Sequence, residues 1–278
     1  MSPRIFILSA QNGIICLMAI FAEISVKILT RYFIYLSFKG TSYHGWQLQP
    51  GSLSVQKMLN DALSTILGEK ISVTGAGRTD AGVHASVFCA HFDSLSPDLD
   101  KRKNLIFRLN RYLPPDISVT GTRKVRPDAN ARFSAISRTY MYRISRVKDP
   151  FGIDTGWHVH GDLNIDAMNK AAAILMKHND FTSFCRLHSD NRTNNCTVFS
   201  AGWKQEGNTL VFTIRADRFL RNMVRAIVGT MIETGRGRIT SEDFETILLA
   251  RNRSSAGMSA PARGLFLTDI EYPQEIFE

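Results

Sequence analysis

TGAGRTDAGVHA, residues 74–85, holds three glycines, an arginine, an aspartate and a histidine between two apolar runs. A dinucleotide-binding loop would need glycine in place of Asp80 and a helix after it, whereas the following residues predict a strand. The segment also lacks the Gly-Lys-Ser/Thr ending of a P-loop. Two interpretations stay open. One is an Asp-Ala-Gly turn capped by its own carboxylate; the other is a loop presenting Arg78 and Asp80, whose glycines adopt positive φ and approach a ligand closely.

The elements around this loop follow the order β-α-β-loop-β-α-β. Alternating aromatic and aliphatic residues from Arg31 predict a first strand, and Ser54 and Gly68 mark the start and stop of an amphipathic helix. KISVTGA and ASVFCAHFD predict the strands that enter and leave the loop. A helix over residues 101–112 and the strand ISVTGTRKV complete this half.

The second half of the chain repeats that order. The segments RTYMYRISR, TVFSAGWK, TLVFTIRA and GLFLTDIEY predict strands. Helices are predicted over residues 164–176 and 219–234, and a third begins at a capping box of Thr240 and Asp243. Interleaved helices and strands of this kind predict two α+β halves rather than a parallel Rossmann sheet.

The chain is expected to divide into an extension over residues 1–29, a first half over 30–133 with the Asp80 loop, and a second half over 134–278 that completes the cleft. The apolar run of the extension follows a single basic residue and is interrupted by a Gln-Asn-Gly stretch, so it fits neither a signal peptide nor a membrane helix well. We expect the extension to be dispensable for folding and activity.

Composition indicates the kind of partner. The 278 residues include 34 Lys and Arg against 25 Asp and Glu, a formal net charge of +9. This balance favours a polyanion, foremost a nucleic acid, although a solvated basic surface produces it as well. The four cysteines form no CxxC pair, which indicates neither a disulfide scaffold nor a zinc ribbon and favours a reducing, cytoplasmic location.

Asp80 is the one carboxylate that the loop supplies, so its chemistry would be nucleophilic attack or proton abstraction, with nearby cations keeping it charged. His84 is either a partner base or a packed, hydrogen-bonded histidine. Farther on, Phe133, Tyr140 and Tyr142 alternate with arginines in the mixture that grips phosphates and stacks bases, although the tyrosines could equally belong to the core. Those arginines are Arg132, Arg138, Arg143 and Arg146.

ADRFLRNMVRAIVG, residues 216–229, predicts a helix with one cationic and one apolar face. Arg218, Arg221 and Arg225 recur at helical spacing beside apolar residues. Because an arginine buried beside an apolar face needs a carboxylate partner, Asp80 is its unpaired candidate.

Taken together, these motifs resemble those of the bacterial tRNA pseudouridine synthase A family. GAGRTDAGVHA is similar to the family's signature, and further blocks follow in the family's order over residues 31–273. They are YHGWQLQP, SVQ, LNRYLPPDISV, ARFSAISRTYMYRI, DFTSFC, FLRNMVRAIVGTMIETGRG and SAPARGLFL.

The resemblance implies the pseudouridine synthase fold: α+β, with two related α/β halves, a mainly antiparallel sheet and the active-site cleft between them. It implies an isomerase without cofactor or metal that converts uridine to pseudouridine at positions 38–40 of the tRNA anticodon stem-loop. A homodimer that binds tRNA, and no membrane, is expected. By motif, Asp80 is the catalytic aspartate, Arg78 helps to displace the target nucleotide, Tyr140 stacks on the base and Arg225 pairs with Asp80.

Two other classes of function stay open. An RNA-binding protein on the same fold would lack activity, so substitution of Asp80 would change no modification. A nucleotide-dependent α/β enzyme would change its melting temperature when nicotinamide or adenine nucleotides are added.

Overall fold

The computed structural model describes residues 29–187 and 192–278. All but the last residue of the predicted N-terminal extension lie outside this part of the chain. Within the described ranges, no helix combines the length and the apolar character that crossing a membrane requires.

Four strands and two helices make up the first half of the fold. In chain order they are β1 (Thr30–Phe38), α1 (Val55–Leu67), β2 (Thr74–Gly75), β3 (His84–Ser94), α2 (Leu105–Tyr112) and β4 (Ile117–Lys124). Helix α1 begins and ends as predicted, because Ser54 accepts a hydrogen bond from the Lys57 N–H and Gly68 adopts a left-handed φ of 71°. Helix α2 begins later than predicted, since a separate 3-10 turn precedes it and ends in extended backbone at Arg102.

Five strands and three helices make up the second half. They are β5 (Ser137–Ser145), β6 (Trp157–His158), α3 (Ile165–Leu175), β7 (Val198–Glu206), β8 (Thr209–Ala216), α4 (Met223–Gly235), α5 (Ser241–Leu249) and β9 (Leu265–Glu271). Asn164 caps α3 through its side chain, and Thr240 and Asp243 form the predicted capping box of α5. Local sequence signals therefore place these two helix starts correctly.

One sheet runs through both halves in the order β4-β1-β3-β9-β5-β8-β7, with β2 beside β3 and β6 beside β5. The first half has the order β4-β1-β3-β2 and the second the order β9-β5-β8-β7. With the two-residue β6 left aside, the fourth, first, third and second strands of each half therefore occupy matching places. The halves join where β9 pairs in parallel with β3 at His84 and Ala85. Since β3–β9 and β5–β6 are the parallel pairs among the described strands, the predicted α+β class with a mainly antiparallel sheet is confirmed.

Strand β2 is much shorter than the segment KISVTGA predicted. Before Thr74 the backbone hydrogen-bonds to side chains of α1 instead of to a strand. Ser64 Oγ accepts from the Ile71 N–H at 2.9 Å, Asn60 Oδ1 accepts from the Val73 N–H at 2.9 Å, and the Gln56 side-chain amide donates to the Val73 carbonyl at 2.7 Å. These polar side chains draw the segment onto α1, and just two residues are left to pair with β3.

Each half encloses its own apolar core. The first core packs α1 and α2 on β1, β3 and β4, and it also includes Leu267 of β9 and Tyr272 and Ile276 near the end of the chain. The second core packs α3, α4 and α5 on β5, β7 and β8. Tyr140 of β5 contacts both cores, which places it at the junction of the two halves.

Candidate active site

The Asp80 loop occupies the edge of β3 that β2 leaves uncovered. Its backbone is tied down along its length: the Ala76 N–H donates to the Cys89 carbonyl at 2.8 Å, and the Val83 N–H donates to the Asp80 carbonyl at 3.2 Å. A second segment, YHGW at residues 43–46, clamps the loop from outside. There the Trp46 N–H donates to the Thr79 carbonyl, and the Tyr43 carbonyl accepts from the Gly82 N–H, each at 3.3 Å. Asp80 is therefore held on both sides by backbone bonds.

Two glycines make this clamp possible. Gly45 has a φ of 90°, and a Cβ at this position would lie 2.3 Å from the Thr79 carbonyl oxygen, so an L side chain meets both strain and a clash. Gly82 turns the chain after Asp80 with a φ of 77°. The prediction that the loop glycines adopt positive φ is correct for Gly82 but wrong for Gly75 and Gly77. Gly75 instead leaves room for the indole of Trp46, which lies where a Cβ would project.

Arg225 lies against Asp80, as its motif predicted. Its Nη1 is 3.4 Å from Asp80 Oδ2, and its Nε donates to the Ala260 carbonyl at 2.7 Å. Arg225 belongs to the first turn of α4, and the Ala260 N–H donates back to the Arg225 carbonyl at 2.9 Å. The segment SAPARG, which includes Ala260, therefore fixes the guanidinium that faces the carboxylate.

A second arginine, to which the family motifs assign no role, also lies close to Asp80. Arg221 Nε lies 3.6 Å from Asp80 Oδ1, so each carboxylate oxygen faces a different guanidinium. The predicted stripe of Arg218, Arg221 and Arg225 on one helix is wrong. Helix α4 begins at Met223 rather than Phe219, because Asn222 takes a left-handed φ of 66° and donates through its side chain to Ser259.

Tyr140 lies in the middle of β5, where its side chain packs against both cores. Its ring meets Phe219 edge to face, with centroids 5.0 Å apart and an interplanar angle of 82°. Burial raises the pKa of Tyr140 to about 12; the Arg138 cation opposes that rise, and the Asp80 carboxylate adds to it. The phenol is therefore neutral at physiological pH, while the side chain keeps part of its surface open to solvent. The side chain thus supplies an aromatic ring and a neutral O–H group near enough to Asp80 for the carboxylate to affect its pKa.

Arg138 is occupied inside the protein rather than presented to a phosphate. Its guanidinium donates to the backbone carbonyls of Ala76, Arg132, Ala135 and Asp217, at 3.1 Å for Ala76 and 2.9 Å for Asp217. Burial lowers the pKa of Arg138. One side chain thus ties the start of the Asp80 loop to the segment before β5 and to the end of β8.

Arg78 lies two residues before Asp80 on the same loop. Its side chain is exposed, and it forms no hydrogen bond or ion pair with the described residues. Of the four residues predicted for the site, the structure thus brings Asp80 and Arg225 into contact and places Tyr140 near Asp80 at the junction of the two cores. Arg78 is exposed and has no partner among the described residues.

His84 is a packed, hydrogen-bonded histidine. Its ring is 1% exposed and stacks on Phe266 with centroids 4.6 Å apart. The Nδ1 atom lies 3.0 Å from the Gly40 N–H, which makes Nδ1 the acceptor, and Nε2 lies 3.1 Å from the Arg263 carbonyl, which makes Nε2 the donor. Burial lowers the pKa of His84. Because both ring nitrogens are already bonded, His84 supports the loop and has no lone pair left for a proton transfer.

The site therefore combines one carboxylate between two cations with an aromatic ring and an exposed arginine. Among the described residues, no three or more His, Cys, Asp and Glu side chains come together as a metal-binding group. Such a site can perform nucleophilic or base chemistry on an electrophilic carbon of an anionic substrate.

The chain is similar in sequence to known proteins along most of its length. A family model described as tRNA pseudouridine synthase matches residues 171–273. The tRNA pseudouridine synthase A of Bacteroides fragilis is 54% identical over 249 residues, which cover 89% of this chain and 98% of that protein. The proteins of the same name from Bacteroides thetaiotaomicron and Parabacteroides distasonis are 53% and 50% identical; the matches cover 90% of this chain in both cases, and 93% and 98% of those proteins.

Proposed function

Because the chain belongs to the tRNA pseudouridine synthase A family, whose members isomerise uridine to pseudouridine in tRNA, we propose that it modifies positions 38–40 of the anticodon stem-loop. Asp80 is proposed as the nucleophile or base of this reaction. The observation that supports the assignment is the Asp80 carboxylate between Arg225 and Arg221, in a loop that both halves hold in place.

The proposed reaction makes modest chemical demands. The N1–C1′ bond of uridine breaks, the uracil turns, and C5 joins C1′; the uracil C5 then loses a proton and N1 gains one. No electrons are transferred to another molecule, so a carboxylate that attacks C1′ or takes a sugar proton is sufficient. The guanidiniums of Arg225 and Arg221 face the two oxygens of the Asp80 carboxylate that would react.

The target uridine has to leave its stack to reach Asp80, at a cost of a few kcal/mol. We propose that the Tyr140 ring offsets this cost by stacking on the uracil, which agrees with its partly exposed side chain and its neutral phenol. Arg78 is proposed to enter the space that the uridine leaves. Its exposure and its lack of partners among the described residues support that role.

The assembly around this site is also a proposal. Residues 30–133 supply the Asp80 loop, and residues 134–278 supply Tyr140 and Arg225, so both halves are needed for one cleft. We propose a cytoplasmic homodimer with tRNA as its partner and with no requirement for a cofactor. The net charge of +9 supports a polyanionic substrate.

Asp80→Asn is the test of this function. The variant is expected to fold and to bind tRNA but to lose about 10³-fold or more of its single-turnover rate, because an amide is neither a nucleophile nor a base here. Pseudouridine is mapped by carbodiimide adducts and primer extension on tRNA. Asp61→Asn, which removes an exposed carboxylate paired with Lys57, is the matched control and should keep normal activity.

The outcomes separate the alternatives. Normal turnover by Asp80→Asn contradicts the assignment of Asp80. A wild-type protein that binds tRNA but forms no pseudouridine is an RNA-binding protein on this fold, and modification away from positions 38–40 contradicts the proposed sites alone.

A further inference from the structure

The two arginines on Asp80 are held very differently. The Arg225 side chain is 21% exposed, lies in the first turn of α4 and also binds Ala260. The Arg221 side chain is 55% exposed and precedes the helix, where its backbone carbonyl accepts a hydrogen bond from the Arg186 N–H at 3.0 Å. Arg225 is thus a fixed counter-charge, whereas Arg221 stands at the open side of the carboxylate.

Positive charge at the site exceeds what Asp80 requires. Arg225 balances the single carboxylate, and Arg221 and Arg78 then leave a surplus of two positive charges, three guanidiniums less one carboxylate. Such a surplus in a cleft attracts anions and raises their local concentration. It points to a ligand with negative charge close to Asp80.

Arg221 has the donors to meet that ligand. A guanidinium carries five N–H donors in a rigid, planar fork. The Nε of Arg221 lies 3.6 Å from Asp80 Oδ1, and none of the described residues accepts a hydrogen bond from its Nη1 or Nη2 atoms. The four remaining N–H groups are available on a side chain that is more than half exposed.

We infer that Arg221 bridges Asp80 and a backbone phosphate next to the target uridine. Its Nε holds the carboxylate, and its Nη groups donate to the phosphate oxygens; the inference rests on the proposed function, because that function supplies the RNA. An arginine fork matches a phosphate in two parallel hydrogen bonds. RNA binding and the alignment of Asp80 are thereby coupled through one rigid group.

The experiment compares Arg221→Gln, Arg221→Lys and Arg236→Gln with the wild type. Arg236 directly follows α4, about 16 Å along the helix from Arg225, and pairs with Glu233, so its substitution removes an equal charge away from the site. Affinity for tRNA that already carries pseudouridine is measured over a salt series, and single-turnover rates are measured on unmodified tRNA. Thermal melting verifies that each variant folds.

Arg221→Gln is expected to reduce the slope of log affinity against log salt by about 0.7–0.9, which is the loss of one phosphate contact. It should also raise the half-saturating tRNA concentration and lower the maximal rate, each by roughly tenfold, the worth of one charge-assisted hydrogen bond. Arg221→Lys should keep the slope but not the maximal rate, because one ammonium cannot hold both anions in a fixed fork. Arg236→Gln should resemble the wild type.

The inference is overturned if Arg221→Gln keeps the wild-type salt slope, whatever its rate, or if Arg221→Lys restores the slope and the maximal rate together. A wild-type protein that forms no pseudouridine contradicts the proposed function instead. The salt slope of Arg221→Gln still reports on the phosphate contact in that case.

Discussion

Strands β2 and β7 hold the same place in the two halves of the sheet, yet β7 pairs at eight residues with β8 and β2 pairs at just two residues with β3. Where β7 is complete, the second half has an ordinary sheet edge. Where β2 stops, the edge of β3 is open to β9 and to the Asp80 loop. The site is therefore built in the gap left by a shortened strand, and residues of the complete half close that gap.

The largest effect is expected from Arg138, which ties the open edge to the second half. Arg138→Met leaves the part-buried hydrogen bonds to the Ala76, Ala135 and Asp217 carbonyls without a donor, so we expect the free energy of unfolding to fall by roughly 3 kcal/mol. Urea unfolding measures it. Arg143→Met, an exposed arginine on the same strand, removes the same charge and should cost little. Equal losses in the two variants would show that Arg138 does not hold the halves together.

A smaller effect is expected from the clamp on the loop. Gly45→Ala and Gly51→Ala both place a methyl group at positive φ, with a strain of about 1–2 kcal/mol each. At Gly45 the methyl also meets the Thr79 carbonyl, whereas at Gly51 nothing lies within 4 Å. Because a displacement of 1 Å can cost about 100-fold in rate, Gly45→Ala should lose most of its single-turnover activity and Gly51→Ala should keep it. Similar activities of the two variants would show that the contact between Gly45 and the Asp80 loop is not needed for catalysis.

The smallest effect is expected from the loss of a helix cap, which can be tested once in each half. Ser54→Ala and Thr240→Ala should each lower the free energy of unfolding by about 1 kcal/mol, because each removes a capping hydroxyl. The first turn of α1 also donates N–H bonds to the Gly45 and Trp46 carbonyls. We therefore expect Ser54→Ala, and not Thr240→Ala, to reduce the pseudouridine-forming rate severalfold. Equal rates would mean that α1 does not support the loop.

Several parts of the fold could be predicted because their signals are local. The alternation in β1, the Ser54 and Gly68 ends of α1 and the capping box of α5 depend on residues a few positions apart. The shortening of β2 depends on α1 side chains that bond the backbone before Thr74, and no pattern within KISVTGA shows them. The start of α4 differs from the prediction for a similar reason, since Ser259, which is distant in the sequence, binds the side chain of the left-handed Asn222.

The sequence by itself determined the types of element, the α+β class and, through its motifs, the family and the candidate residues Asp80, Tyr140, Arg78 and Arg225. The tertiary structure alone decided that Arg221 shares Asp80 with Arg225, that Arg138 serves backbone carbonyls and that β9 lies beside β3. The physical reason is distance along the chain. Asp80 and Arg225 are 145 positions apart. They can come into contact only after the two cores and the sheet have brought their segments together.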